Sequence, residues 1–450
     1  MKAVGRRTLL QAGMLIGAVA AGACGREDNQ PNGEVDLLVV GAGIAGLAAA
    51  GYAAGQGLRC VVLEARDRVG GRIWTSAEWP KVPVDLGASW IHGTDGNPVY
   101  DEITRLGIET AVFDVGSSDG VGSLITLSSN GTRLDTEAAD DQLAAALQRL
   151  ERRATSSGSM QAGIDALPAH LRGPAVLAGL TEIAGDYGAT PQQLALAALD
   201  EEDGYAGAQR VLPGGYAQLT DRLAEGLDVR TGVVVTEVSL AAADRVEVRA
   251  GDRRWTAGAA IVTVPLGVLK AGAIRFDPPL PERHRRAVDA LGFGRFEKLV
   301  LRFAEPFWDD VDQIRVDGAP GAPFAGWYNL HRVTGEPVLM ALNGGAAAAA
   351  LDGLPPRRIA ELGARVLAGV YPGRFREPVA AQSTDWWGDE FSRGSYSFTA
   401  VGSGVGDREA LAESIAGRLW LAGEAVEADL HSTVHGAWIS GRAAARAACR

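Results

Sequence analysis

The sequence predicts an α/β protein in which a nucleotide-binding domain with a parallel sheet is interleaved with an α+β substrate-binding domain. Three observations predict it. An apolar run of strand length, Val35–Val40, breaks into Gly41-Ala42-Gly43-Ile44-Ala45-Gly46 and continues as a small-residue helical pattern to Gly57. A strand and a small-residue helix return at the far end, over residues 419–422 and 432–448. Between them, residues 97–203 read as mostly helical, and 142–153 and 192–200 carry apolar residues at helical spacing. The expected segments are therefore 34–95, 211–292 and 401–450 for the nucleotide domain, and 96–210 and 293–400 for the substrate domain.

Taken in order, residues 1–23 read as an export signal rather than as part of the fold. Arg6-Arg7 precede Thr8-Leu9-Leu10, an apolar stretch covers 13–23, and Ala21-Gly22-Ala23 is a small-residue cleavage site. The paired arginines point to the twin-arginine route and a periplasmic or extracellular destination. Cys24 follows directly, so lipid attachment at Cys24 is the one membrane contact expected; the apolar stretch is short for a bilayer span. Residues 24–33, polar with Pro and Gly, read as a tether.

In the glycine motif each glycine has its own task. Gly41 makes the tight turn, Gly43 lets the backbone approach a pyrophosphate, and Gly46 lets helix and strand pack closely. The helix N-terminus, with Ala45 in its first turn, offers free N–H groups to the phosphates. A second strand over 59–63 ends at Glu64, at the distance where an acidic residue takes a ribose hydroxyl. Residues 211–249 return to strand character around Gly214-Gly215-Tyr216. The alanine run 346–351 is a short helix at most, and 355–370 begins with prolines suited to a first turn and continues as an amphipathic helix.

Composition narrows the function. A formal net charge of −12 argues against nucleic acid and for small cationic partners. The three cysteines, Cys24, Cys60 and Cys449, imply no disulfide framework, and Cys60 reads as inert core. His431 and His435 have the spacing of a ligand pair but no third partner, so no metal is expected. The run Asp200-Glu201-Glu202-Asp203 is either a solvated face or a rim that concentrates polycations.

From Glu64 onward a resemblance takes shape. Glu64-Ala65-Arg66-Asp67-Arg68-Val69-Gly70-Gly71-Arg72 resembles the flavin-containing amine oxidases, where it continues the FAD site; the resemblance places Arg72 along the cofactor pyrophosphate or flavin. Ordered matches recur in Asp85-Leu86-Gly87-Ala88-Ser89-Trp90-Ile91-His92-Gly93, in Arg393-Gly394-Ser395-Tyr396-Ser397 and in Leu421-Ala422-Gly423-Glu424. Residues 227–238 resemble the strand whose backbone, near Val235, meets the adenine. The first of these matches looks closest to spermine and acetylpolyamine oxidases. By resemblance, Gly87, Ala88, Ser89, Trp90, Gly423, Glu424, Thr433 and Val434 belong to the FAD site of a Rossmann-like domain.

The same resemblance implies chemistry. A lysine between apolar strand residues is ordinarily on a solvated face. Here it implies that Lys298 contacts flavin N5 through a water. Ser432 or Thr433 caps the last helix, whose N-terminal dipole, placed beneath the flavin, stabilises negative charge on reduction. Tyr396 matches one wall of the aromatic cage and the opposing position falls on Thr433, so the cage is half missing. Trp386 and Phe391 fall where the family has site aromatics, and His92 falls at the channel mouth. Ser395 stands where monoamine oxidases tether flavin through cysteine, so FAD is expected to be non-covalent.

The implied reaction is oxidation of an amine, most consistently a polyamine or acetylpolyamine, by hydride transfer to flavin N5. Imine hydrolysis and reoxidation by dioxygen, giving hydrogen peroxide, complete it. The alternatives are a monoamine oxidase, an L-amino-acid oxidase, for which no cleft arginine can be assigned, a non-redox flavin mutase, and a non-enzymatic flavoprotein. A histone demethylase is disfavoured because the sequence contains no long charged helical insertion and no extra N-terminal domain.

Overall fold

The computed structural model describes residues 35–113, 123–154, 157–200, 204–242 and 244–450. The expected export signal, the tether, Cys24, Glu201, Glu202, Asp203 and the Asp200 side chain lie outside what it describes.

The first strand, Val35–Val40, forms the middle of an eight-stranded sheet. Cys60–Leu63 pairs with it in parallel on one side and Arg253–Val262 on the other. Asp228–Arg230 and Leu419–Leu421 extend the parallel part. Successive side chains alternate between faces. Leu37 and Val39 therefore pack with Leu47, Ala49 and Ala445 of the helices, while Leu38 and Val40 pack with Val248, Val262 and Leu411 on the other face. Burial on both faces is why the strand is apolar from Leu37 to Val40, while Asp36 at its start is exposed. Beyond the parallel part the sheet becomes mixed: Glu237–Ser239, Val246–Ala250 and the start of Arg253–Val262 run antiparallel to one another.

A second, six-stranded sheet is almost wholly antiparallel, in the order 380–383, 296–302, 338–344, 326–329, 313–316, 124–127. One face packs on the amphipathic helix Pro356–Val370 through Leu299, Leu301, Trp327, Ile359 and Leu367. The other packs Val300 and Met340 against Val84 and Leu86. Period two puts Lys298 on the same face as Val300, toward the segment that follows Leu86.

Two stretches depart from expectation. Residues 192–200 are not an α-helix but a turn followed by the 3-10 segment Leu196–Asp200. Leu194 there bridges Ala400 and the Ala195 N–H donates to Thr399 O, so tertiary pairing overrides the helical spacing. Within 211–249, read as strand, Ala217–Ala224 forms a helix burying Leu219 and Thr220. Among the described residues, no helix is long and apolar enough to cross a membrane.

Candidate functional site

A cavity of about 840 Å³ is lined by residues of the glycine motif, of both large sheets and of the last helix, within the range of small-molecule and cofactor sites. Every site residue expected from sequence lines it except Gly46. A Cβ at Gly46 would stand 1.9 Å from the Gly41 carbonyl oxygen, so this glycine seats the helix from behind rather than touching a ligand.

At one end the first strand turns at Gly41, whose φ of +105° favours glycine, into the helix Ile44–Gly55. No side chain caps this helix, so its first-turn N–H groups, Ala45 among them, lack an intrahelical partner. Around a Cβ built on Gly43 the nearest atom is Gly70 O at 4.0 Å, so its bare side opens on the cavity. Glu64 Oε2 accepts from Ala42 N at 2.7 Å and Oε1 from Arg66 N at 2.9 Å, which fixes the carboxylate while leaving each oxygen a lone pair. An uncapped helix start, an open glycine and a fixed acid fit the diphosphate and ribose of a dinucleotide. Ala65, Gly71 and Val235 line this part as well.

Arg66 does not simply point at a phosphate. Its guanidinium grips Asp389 with two hydrogen bonds, 2.9 and 2.5 Å, and lies 5.4 Å from the Phe391 ring. Arg72 Nη1 donates to Ser395 O at 2.7 Å and Glu424 Oε1 at 2.9 Å. Burial alone would raise the Glu424 carboxyl, but Arg72, Ser397 and Arg408 outweigh it and hold the group below its ordinary value. Glu424 Oε2 also accepts from Ser397 Oγ and Ser432 N, which joins the strand exit at Gly423 to the loop before the last helix.

Lys298 is buried. Nζ donates to Asp85 O at 3.0 Å, Gly87 O at 2.6 Å and Ser89 Oγ at 2.5 Å. Burial pulls its ammonium down to about 8, with Asp85 opposing. Burial likewise raises Asp85 to about 6, against hydrogen bonds from Thr75 and the Tyr216 N–H. Gly87, Ala88 and Trp90 line the cavity beside them, and Trp90 is held by Nε1 donating to Phe113 O.

Tyr396 donates to Asp186 O at 2.6 Å and packs 5.7 Å from the Phe296 ring. Thr433 caps the helix Val434–Ala448 by accepting from Gly436 N. Ser432 Oγ donates to Ser397 O, which sets the start of that helix beside the Tyr396 segment. Gly441 lets the same helix press on Ala45 O, 2.0 Å from where its Cβ would be. Trp386 donates from Nε1 to Leu86 O, and Phe391 lines the dinucleotide side. His92 reaches Gln209 at 3.2 Å. His435 stacks edge-on with Tyr205, and burial followed by His92 lowers its imidazole to about 4. Burial pushes the Cys60 thiol up to about 12, and neither Cys60 nor Cys449 lines the cavity.

Sequence reasoning missed several residues that hold the site. The buried Glu297 carboxylate accepts from Thr384 Oγ1, Trp386 N and Trp387 N, fixing the turn that carries Trp386. Burial raises this carboxyl, against those three donors. Arg408, 1% exposed, donates to Ser397 Oγ and Ala425 O. For Glu297 the available signal was a charged residue entering an apolar strand; Arg408, between Asp407 and Glu409, carried none.

Comparison with known proteins agrees with this arrangement. Residues 44–449 match the family described as flavin containing amine oxidoreductase. Polyamine oxidase 3 of Oryza sativa subsp. japonica is 32% identical, over 91% of this chain and 88% of its own length. Polyamine oxidase 2 of Arabidopsis thaliana is 30% identical, over 91% and 87%. Lysine-specific histone demethylase 1 homolog 3 of Oryza sativa subsp. japonica is 31% identical, but the chain spans only 54% of its length. A redesigned putrescine oxidase of known structure shares the fold, with a TM-score of 0.78 at 24% identity, over 93% of this chain and all of that one.

Proposed function

The chain belongs to the flavin containing amine oxidoreductases, FAD-dependent enzymes that oxidise amines, and from that premise we propose that its substrate is an extended aliphatic polyamine or acetylpolyamine. The observation that carries this reading is the half cage: Tyr396 lines the cavity on one side, and Thr433, not a second aromatic, lines it near the start of the last helix. A thread-like chain can pass where a facing ring would clamp a compact arylamine. The carboxylate-bearing residues Asp186, Glu390 and Asp429, which also line the cavity, suit cationic nitrogens. Relatives named polyamine oxidases support the same class.

When bound, FAD would supply the acceptor for hydride from the carbon beside a neutral amine nitrogen, with dioxygen as the final acceptor giving hydrogen peroxide. This chain's residues bind, orient and tune. The uncapped helix start and Glu64 would hold the dinucleotide, and Arg72 pairs with Glu424 at the cavity wall. The capped N-terminus of Val434–Ala448 presents its positive end to the cavity. Lys298, donating into the 85–89 segment, lines the cavity and would act, directly or through that segment, on a water beside the flavin. His92, which lines the cavity beside Gln209, would contact the substrate at the channel mouth. The nitrogen must be neutral to release hydride, so activity climbs with pH as the amine deprotonates.

The test compares kcat/KM for spermine, spermidine, acetylspermine, benzylamine, phenylethylamine and several L-amino acids, with peroxide detected. The polyamines lead. A lead of tenfold or more for benzylamine or an amino acid, about 1.4 kcal/mol of transition-state preference, overturns the substrate assignment while leaving amine oxidation in place. We further propose that FAD is held non-covalently, since Ser395 occupies the tethering position and no described cysteine lines the cavity. Acid precipitation then releases the yellow colour to the supernatant; colour in the pellet refutes it.

A further inference from the structure

All three hydrogens of an ammonium at Lys298 are used within the protein, by Asp85 O, Gly87 O and Ser89 Oγ. An ammonium has three donors and no lone pair. A charged Lys298 therefore has no donor left for a water in the cavity. Ser89 has one. Its oxygen receives a lysine hydrogen, and its protein acceptors, Asp85 O at 3.5 Å and Gly87 O at 3.4 Å, are both long for O–H···O. Both already take a hydrogen from Lys298. Lys298, Gly87 and Ser89 all line the cavity.

We propose that Ser89 is the group through which Lys298 acts: the serine hydroxyl, aimed by the lysine, presents the hydrogen bond to whatever polar atom stands in the cavity. Lys298 is then a positioning residue. This rests on the amine-oxidase reading of Lys298 given above.

The direction of the relay follows the charge on the lysine. With Lys298 charged, Ser89 Oγ accepts from Nζ and donates to the cavity. With Lys298 neutral, Nζ carries a lone pair, so Ser89 donates to the lysine and becomes an acceptor toward the cavity. The reversal falls near pH 8, where burial places the lysine. Asp85 is the charged group facing it, and Thr75 and the Tyr216 N–H hold its carboxylate. The Trp90 ring, 5.9 Å from Nζ, is neutral. Glu297, next along the strand, points to the other face and is bound to Thr384, Trp386 and Trp387.

Holoprotein of wild type, Ser89→Ala, Ser89→Thr, Lys298→Met and the Ser89→Ala/Lys298→Met double variant decides it. Two readouts are followed against pH: the visible spectrum of bound oxidised flavin, and the rate constant of flavin reoxidation in stopped flow. Wild type and Ser89→Thr titrate near pH 8 in both. Ser89→Ala loses the spectral titration and slows reoxidation by about tenfold or more, and the double variant is no slower than the slower single one. A wild-type spectrum and rate in Ser89→Ala, or losses that multiply in the double variant, overturn the relay; the reading of Lys298 then survives if Lys298→Met is slow. If Lys298→Met itself matches wild type, that reading falls and takes the relay with it.

Discussion

Lys298 trades hydration for two carbonyls and a hydroxyl, and the exchange is incomplete, because burial still brings its ammonium down from 10.5 to about 8. The sign of the consequence follows. Between those values the unfolded chain binds more protons at this lysine than the folded one, so stability rises with pH across that window. The cost is fully felt below pH 8 and relieved toward pH 10.5. Urea unfolding of wild type and Lys298→Met from pH 7 to 10.5 should therefore show wild type gaining on the variant, by at most roughly 3 kcal/mol. A constant difference would mean that the folded lysine titrates normally. The same variant should keep its FAD while slowing a flavin half-reaction by on the order of 10²-fold. Of the residues around it, Lys298, Tyr396 and Thr433 were legible because they fall inside recognisable motifs. Glu297 was not: its three donors, Thr384, Trp386 and Trp387, lie 87 to 90 residues away and are brought to it only by the second sheet.

Among the elements, the turn from the first strand into its helix separates two kinds of glycine. Gly43 opens on the cavity with its nearest atom 4.0 Å from the built Cβ, and its φ of −70° suits any residue. Gly43→Val should fold but fill the phosphate cradle, giving a colourless protein of near wild-type melting temperature. Gly46→Val should instead fail to accumulate in folded form, since its Cβ would meet Gly41 O at 1.9 Å. Thermal melts and bound-flavin absorbance distinguish the two; a yellow Gly43→Val protein would remove that residue from the cofactor site. These glycines were readable because spacing and flanking elements dictate each task. The helix Ala217–Ala224 was not, since the valine-rich residues after it carried the strand signal, and only tertiary burial of Leu219 and Thr220 marks its inner face. Residues 192–200 failed for the opposite reason: helical spacing was present, but bridges from Leu194 and Ala195 fix the backbone otherwise.

At the scale of the whole molecule, a net charge of −12 acts on a polycation before any contact forms. Such attraction is screened beyond about 8 Å at physiological ionic strength. Raising salt from 20 to about 500 mM should raise KM for spermine several-fold, raise it less for a monoamine, and leave kcat nearly unchanged. Equal responses for both amines would show that the field does not select substrate.

The bidentate pair of Arg66 with Asp389 joins residues 323 positions apart. Much of the nucleotide seat, from Gly41 to Arg72, is encoded early in the chain, whereas the loop that fastens across it comes near the end. Loading and retention of the cofactor are thus separable in time: the seat can admit FAD with the fastening open, and release must wait for it to break. Asp389→Asn should shorten the residence time of FAD while leaving its rate of entry into apoprotein almost untouched. Flavin fluorescence after dilution, and on remixing with apoprotein, measures the two rates independently. Equal residence times would mean that the fastening exerts no hold.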